Sequence, residues 1–250
     1  MRRILAAARH PIDDYLAALT RALPDVRVGN VLAIVAALAA SWWIYVPIHE
    51  LLHAAGCVLG GGEVQRLEID PVYGAALLQR VFPFVAVGSE YAGQLTGFDT
   101  RGSDLTYLLT DFLPFTLTVL IGVPLLRAAA SAGSSMRASI ALGAAIPIAF
   151  APFVSATGDY YEMGSILVSR AVAAFSAGFD LRRWRGDDLF KIGGELFSKG
   201  GGVGDALGLS ASFLLGLMGA FATYAAGHVW AGFLRHRHRE KARASSEHPC

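Results

Sequence analysis

Five consecutive residues, His49-Glu50-Leu51-Leu52-His53, carry the most specific chemistry in this chain. Histidines at i and i+4 share one face of a helix, so both imidazoles can reach a single metal ion. The glutamate after the first histidine stands beside that face, where a carboxylate can take a proton from a water polarised by the metal. The motif closes an apolar run, because residues 31–48 contain no charged side chain. Ionisable groups at membrane depth are rare and usually functional. The bland alternative is a pair of interfacial histidines and a snorkelling glutamate at the end of a span.

A catalytic zinc keeps three protein ligands and one open position, so the motif requires a third ligand. Asp159, Glu162 and Asp111 are the candidate carboxylates. Asp159 ends a later apolar stretch that should run parallel to the first span, which brings it to the depth of His49 and His53. Glu162 lies one helical turn further on and could replace it. Asp111, near the start of another span, could be a group behind the ligands or a helix N-terminal charge. Gly158-Asp159 also has an ordinary reading as a turn and a helix cap. Cys57, at i+4 from His53, is either a small buried residue or a thiolate ligand.

The rest of the chain reads as the frame for these residues. It has 250 residues, 54% hydrophobic and 16% charged, with 28 glycines and a mean hydropathy of +0.47. That is the composition of a polytopic membrane protein. A net charge of +1 gives no sign of nucleic-acid binding. Cys57 and Cys250 are too few and too far apart for a disulfide framework.

Residues 1–29 read as an amphipathic segment without a secretory signal. A helix is expected over Pro11–Leu23, with Ile12, Tyr15, Leu16 and Leu19 toward the bilayer and Asp13, Asp14 and Arg21 off that stripe. The first span runs from about Asn30 through the histidine motif to Leu59 and ends at Gly60-Gly61-Gly62, with Pro47 inviting a kink. Trp42, Trp43 and Tyr45 suit an interfacial belt. Residues 63–98 suggest a β-hairpin or short sheet with a turn at 71–74. Further spans are expected over 105–126, 138–157 and 206–234, the last with a small-residue face at Gly208, Ser212 and Gly216. The divisions are therefore a 30–165 core, a polar connection over 166–203, a last transmembrane helix over 204–235 and a basic, disordered tail over 236–250. No second domain or internal repeat is expected.

A histidine motif in a hydrophobic span, a glycine-rich exit, a β-like segment and a later aspartate at a span end resemble the site-2 protease class of intramembrane zinc metalloproteases. The resemblance covers residues 31–165. It implies that His49, His53 and Asp159 bind Zn2+ and that Glu50 is the catalytic base. Where that class commonly has an Asn/Pro-containing stretch leading to Leu-Asp-Gly, this chain has Ser155-Ala156-Thr157-Gly158-Asp159. In this it is similar to the divergent, small zincin-like membrane families.

The expectation is thus an all-α polytopic protein of about four transmembrane helices with a small β-hairpin, multi-pass in the cell (inner) membrane. Its expected activity is hydrolysis of a peptide bond in a membrane protein or peptide substrate. The competing expectation is a structural metal site, closed by Cys57 or His228, or an ion-transporting His/Asp cluster.

Overall fold

The computed structural model describes residues 2–246. The helices are α1 (Arg2–Ala22), α2 (Val28–Leu59), α3 (Ala75–Val81), α4 (Asp104–Phe112), α5 (Val123–Ala130), α6 (Ser135–Ala149), α7 (Ala151–Val154), α8 (Asp159–Phe175), α9 (Leu189–Ser198) and α10 (Val203–Ser246). Three strands, β1 (Glu63–Ile69), β2 (Val85–Val87) and β3 (Gly93–Asp99), form one sheet. Three stretches are long and apolar enough to cross a membrane: Val28–Leu59, Asp104–Ala130 and Val203–Arg237. The bent pair Ser135–Ala149 and Ala151–Thr157 would make a fourth. These match the four expected spans to within a few residues.

Where a second domain was not expected, the contacts divide the chain into two compact units. One comprises residues 1–42, 117–150 and 221–250, and the other residues 43–116 and 151–220. The histidine motif, Cys57, Asp111, Asp159 and Glu162 lie in the second, and His228 lies in the first.

In the first unit α1 packs on α5 and α6 through Ala18 and Ala22, both fully buried. Their small side chains form the inward face, and the expected apolar stripe lies off it. Ile12 and Leu16 are exposed, whereas Asp14 is directed inward. One Asp14 oxygen, Oδ2, accepts from Tyr224 Oη at 3.2 Å and lies 3.0 Å from His228 Nδ1. The other, Oδ1, lies 3.6 Å from Arg127 Nε. An aspartate so well matched by donors outweighs two aliphatic side chains in choosing the inner face. His228 is thereby committed to Asp14.

In the second unit α2 ends in a glycine cap. Gly61 has φ +86°, a left-handed conformation that costs glycine nothing, and Gly62 N–H donates to the Cys57 carbonyl at 2.9 Å. The chain then enters β1, the central strand of order β2-β1-β3. β1 pairs parallel with β2 and antiparallel with β3, so of the two expected forms, hairpin or short sheet, the structure has the short sheet, mixed in direction. A parallel pair needs a crossover, supplied here by the Pro71–Tyr73 turn and α3. Leu67, Ile69, Val85 and Ala75 form the small core beneath it.

Within the 166–203 connection, α8 runs on to Phe175, and α9 starts at an Asp188 cap that accepts from Phe190 N and Lys191 N. Arg183 binds Asp205 with two hydrogen bonds, 2.5 and 2.8 Å, and Trp184 Nε1 adds a third at 3.1 Å. Gly208, Ser212 and Gly216 do form a close-packing face. A Cβ at Gly216 would fall 2.1 Å from the Tyr160 carbonyl oxygen, and one at Gly164 the same distance from that of Ser212. The tail beyond residue 235 continues α10 as helix to Ser246 in place of the expected disorder, and residues 247–250, with Cys250, lie outside the described residues.

Candidate metal centre

His49 and His53 sit one turn apart on α2, and their Nε2 atoms are 3.1 Å apart. Asp159, the first residue of α8, faces both. Its Oδ2 lies 4.0 Å from His49 Nε2, and its Oδ1 lies 3.9 Å from His53 Nε2. A tetrahedral ion with bonds of about 2.0–2.1 Å holds its ligand atoms about 3.3 Å apart. The three groups are therefore within a few tenths of an ångström of a common metal sphere. His49, His53 and Asp159 form a group that could hold a metal ion.

The chemistry of the donors agrees with the distances. His53 Nδ1 lies 2.8 Å from the Thr110 carbonyl oxygen. A carbonyl only accepts, so Nδ1 carries the proton and Nε2 presents a bare lone pair. His49 Nδ1 lies 2.6 Å from the Tyr45 hydroxyl, which can donate or accept, so this contact orients the ring and leaves its tautomer open. Two imidazole nitrogens and a carboxylate, aimed at one point, are a donor set that one cation can share. Asp159 is steadied from behind by Ser155 Oγ, which donates to its Oδ2 at 2.5 Å.

Helix packing explains why His53 finds its carbonyl. A Cβ at Gly56 would lie 2.3 Å from the Leu109 carbonyl oxygen, and one at Gly60 would lie 2.8 Å from Thr106 Cα. These two glycines let α4 approach the α2 backbone directly, and Thr106 Oγ1 seals the contact by donating to the Gly60 carbonyl at 2.7 Å. Thr110, one turn on, then presents its carbonyl to His53.

Glu50 is buried, 9% exposed, and lines the same cavity as the two histidines and Asp159, of about 540 Å³. Gly93, at the start of β3, closes over it. A Cβ there would stand 2.4 Å from Glu50 Cγ and 2.8 Å from its Cδ.

Glu162 and Asp111 also line this cavity but stand outside the three-residue group. Glu162 is held by the Tyr107 hydroxyl, 2.6 Å from its Oε1. Burial raises its carboxyl above the ordinary carboxylate range, a shift that the Tyr107 hydrogen bond opposes. Cys57 is fully buried, with its Sγ 3.6 Å from the Glu63 carbonyl oxygen, and serves as a small packing residue.

Sequence reasoning missed four contributors: Tyr45, Thr110, Ser155 and Gly93. Tyr45 lies four residues before His49, the same spacing that joins the two histidines, and Ser155 stands four before Asp159, so both carried a signal. Thr110 acts through its backbone and Gly93 by lacking a side chain, and neither has one.

Compared with protein-family models, curated proteins and solved structures, the chain matches none.

Proposed function

We propose that the chain is a membrane-embedded zinc metallopeptidase that hydrolyses a peptide bond in or next to the bilayer. The observation that carries this reading is Glu50 and the His49–His53–Asp159 group lining one cavity. Among the described residues, no fourth histidine, cysteine, aspartate or glutamate joins the group, which leaves a coordination position for water or substrate. A structural zinc calls for a closed set of four ligands, and the two residues that could have closed it, Cys57 and His228, are engaged with Glu63 and Asp14.

Two imidazoles and one carboxylate suit zinc, which when bound lowers the pKa of a water from 15.7 to about 7 and polarises a carbonyl. The protein's own residues do the rest. Glu50 takes the proton of the attacking water and passes it to the departing amine. The Thr110 carbonyl holds His53 in the tautomer that leaves Nε2 free, and Tyr45 orients the His49 ring. Ser155 keeps the Asp159 carboxylate turned toward them. β3 borders the cavity through Gly93, Gln94 and Leu95, so an extended backbone can lie along it. The resemblance to site-2 proteases rests on the same residues and supports the same reading.

The apolar surface supports the placement in a membrane. The most apolar window of Val28–Leu59 has a mean hydropathy of 2.1, yet only 11% of it is buried within the protein.

The test is hydrolysis of a quenched-fluorescence peptide library by the full chain in phospholipid vesicles. Glu50→Gln should lower the rate by at least about 10²-fold, the usual scale of a lost general base, and leave the bound zinc unchanged. Undiminished cleavage by this variant would remove Glu50 from the mechanism.

A further inference from the structure

Six carboxyl groups line the cavity beside the histidines: Glu50, Asp111, Asp159, Glu162, Asp187 and Asp188. Among the described residues, no lysine or arginine lines it with them. Four of the six have donors. Ser155 serves Asp159 and Tyr107 serves Glu162. Gln94 Nε2 donates to Asp187 Oδ2 at 2.7 Å, and the Phe190 and Lys191 amides donate to Asp188 Oδ1 at 2.7 and 3.1 Å. Glu50 has the task of moving the proton. Asp111 is left over.

Asp111 is 4% exposed, and its Oδ2 has no hydrogen-bond partner among the described residues. A carboxylate oxygen withdrawn from water without a donor is costly, and it persists where something outside the protein repays the cost. Asp111 directly follows Thr110, whose carbonyl holds His53, so it neighbours the candidate metal group. Glu162 is three residues on from Asp159 along α8 and lines the same cavity. The cation of the metal centre answers to its own three ligands, and the remaining carboxyl groups of the cavity have no cationic side chain among them.

We infer that Asp111 and Glu162 form a cation subsite beside the candidate metal centre, taking an ammonium or guanidinium group of the substrate next to the bond to be cleaved. This rests on the metallopeptidase reading and adds to it a preference for a basic group: a lysine or arginine side chain, or the substrate's own N-terminus. Attraction between unlike charges is several times stronger in a cavity poor in water than in bulk solvent, so one unpaired carboxylate is enough to select for charge.

Hydroxamates that chelate zinc separate the subsite from the metal centre. Binding to the zinc-loaded full chain is measured by calorimetry with three probes: N-acetyl-lysine hydroxamate, N-acetyl-norleucine hydroxamate and norleucine hydroxamate with a free α-amine. A cationic probe is expected to bind about tenfold or more tightly than N-acetyl-norleucine hydroxamate. A gain with the lysine probe assigns the cation to a side chain, and a gain with the free amine assigns it to a chain terminus. Asp111→Asn should reduce the preference to about twofold or less and keep both zinc and hydroxamate binding, and Glu162→Gln should weaken it in the same direction. Equal affinity for all three probes, or an unchanged preference in Asp111→Asn, would overturn the subsite and leave the metal centre standing. A second zinc per chain that is lost in Asp111→Asn would assign Asp111 to a metal and overturn it too. A chain that binds neither zinc nor any hydroxamate would overturn both readings.

Discussion

The ring of His53 is constrained on both sides, with one nitrogen donating to the Thr110 carbonyl and the other facing His49 and Asp159. The result is a preset lone pair, and a metal that meets it needs little rearrangement of the ring. Glu50 is governed differently, by an absence. Because a Cβ on Gly93 would overlap the Glu50 stem, the carboxylate can lie in the cavity only while residue 93 is glycine. Gly93→Ala is therefore expected to leave zinc content intact and to lower hydrolysis by about 10-fold or more, the scale of a displaced catalytic group. Metal analysis beside the peptide assay checks this; wild-type activity would show that Glu50 tolerates the added methyl. The histidines and Glu50 were legible in the sequence because they form one short motif with helical i, i+4 spacing, and Asp159 because it ends an apolar stretch expected to run parallel to the first span. Gly93 was not, since its contribution is a volume left empty across a long sequence separation.

At the scale of elements, the α2–α4 contact sets the site. Gly56 and Gly60 let the α4 backbone close on α2, and His53 gains its carbonyl partner from that approach. An alanine at Gly56 would drive its methyl into the Leu109 carbonyl. Gly56→Ala should cost about 1–3 kcal/mol of stability, as overpacking does, and should weaken zinc affinity by about 10-fold through the displaced Thr110 carbonyl. Thermal unfolding in detergent and a zinc titration measure the two effects; a loss of stability with unaltered affinity would disconnect the packing from the site. The sequence reading recognised the small-residue face of α10 but not this one, since Gly56 and Gly60 were taken up in the motif helix and its glycine exit. The mixed direction of the sheet was likewise missed, where a hairpin or short sheet was expected. In the apolar run from Ala75 to Val87, Pro83 marks the break between helix and strand, but nothing local announces a parallel strand. What decides it is the burial of Leu67, Ile69 and Val85 together.

At the scale of the whole molecule, the apolar stretches remain exposed. The most apolar windows of Asp104–Ala130 and Val203–Arg237 are 39% and 33% buried, beside 11% for Val28–Leu59. Exposed apolar surface on this scale calls for a lipid environment. The chain should therefore stay with the membrane fraction through an alkaline carbonate wash and be released only by detergent; release by carbonate would contradict a membrane-embedded site. The number and bounds of these stretches were legible because hydropathy is a local property. The division into two units was not, because it depends on contacts between residues far apart in the chain. The inward turn of Asp14 was hidden for the same reason, as its partners Arg127, Tyr224 and His228 lie more than a hundred residues away.

The central claim, that His49, His53 and Asp159 together hold one metal ion, is tested most directly by the zinc content of the purified chain. Wild type and Glu50→Gln are expected to carry one zinc per chain, and His49→Ala and Asp159→Ala to lose it. Full zinc content in Asp159→Ala, or none in wild type after zinc loading, would contradict it.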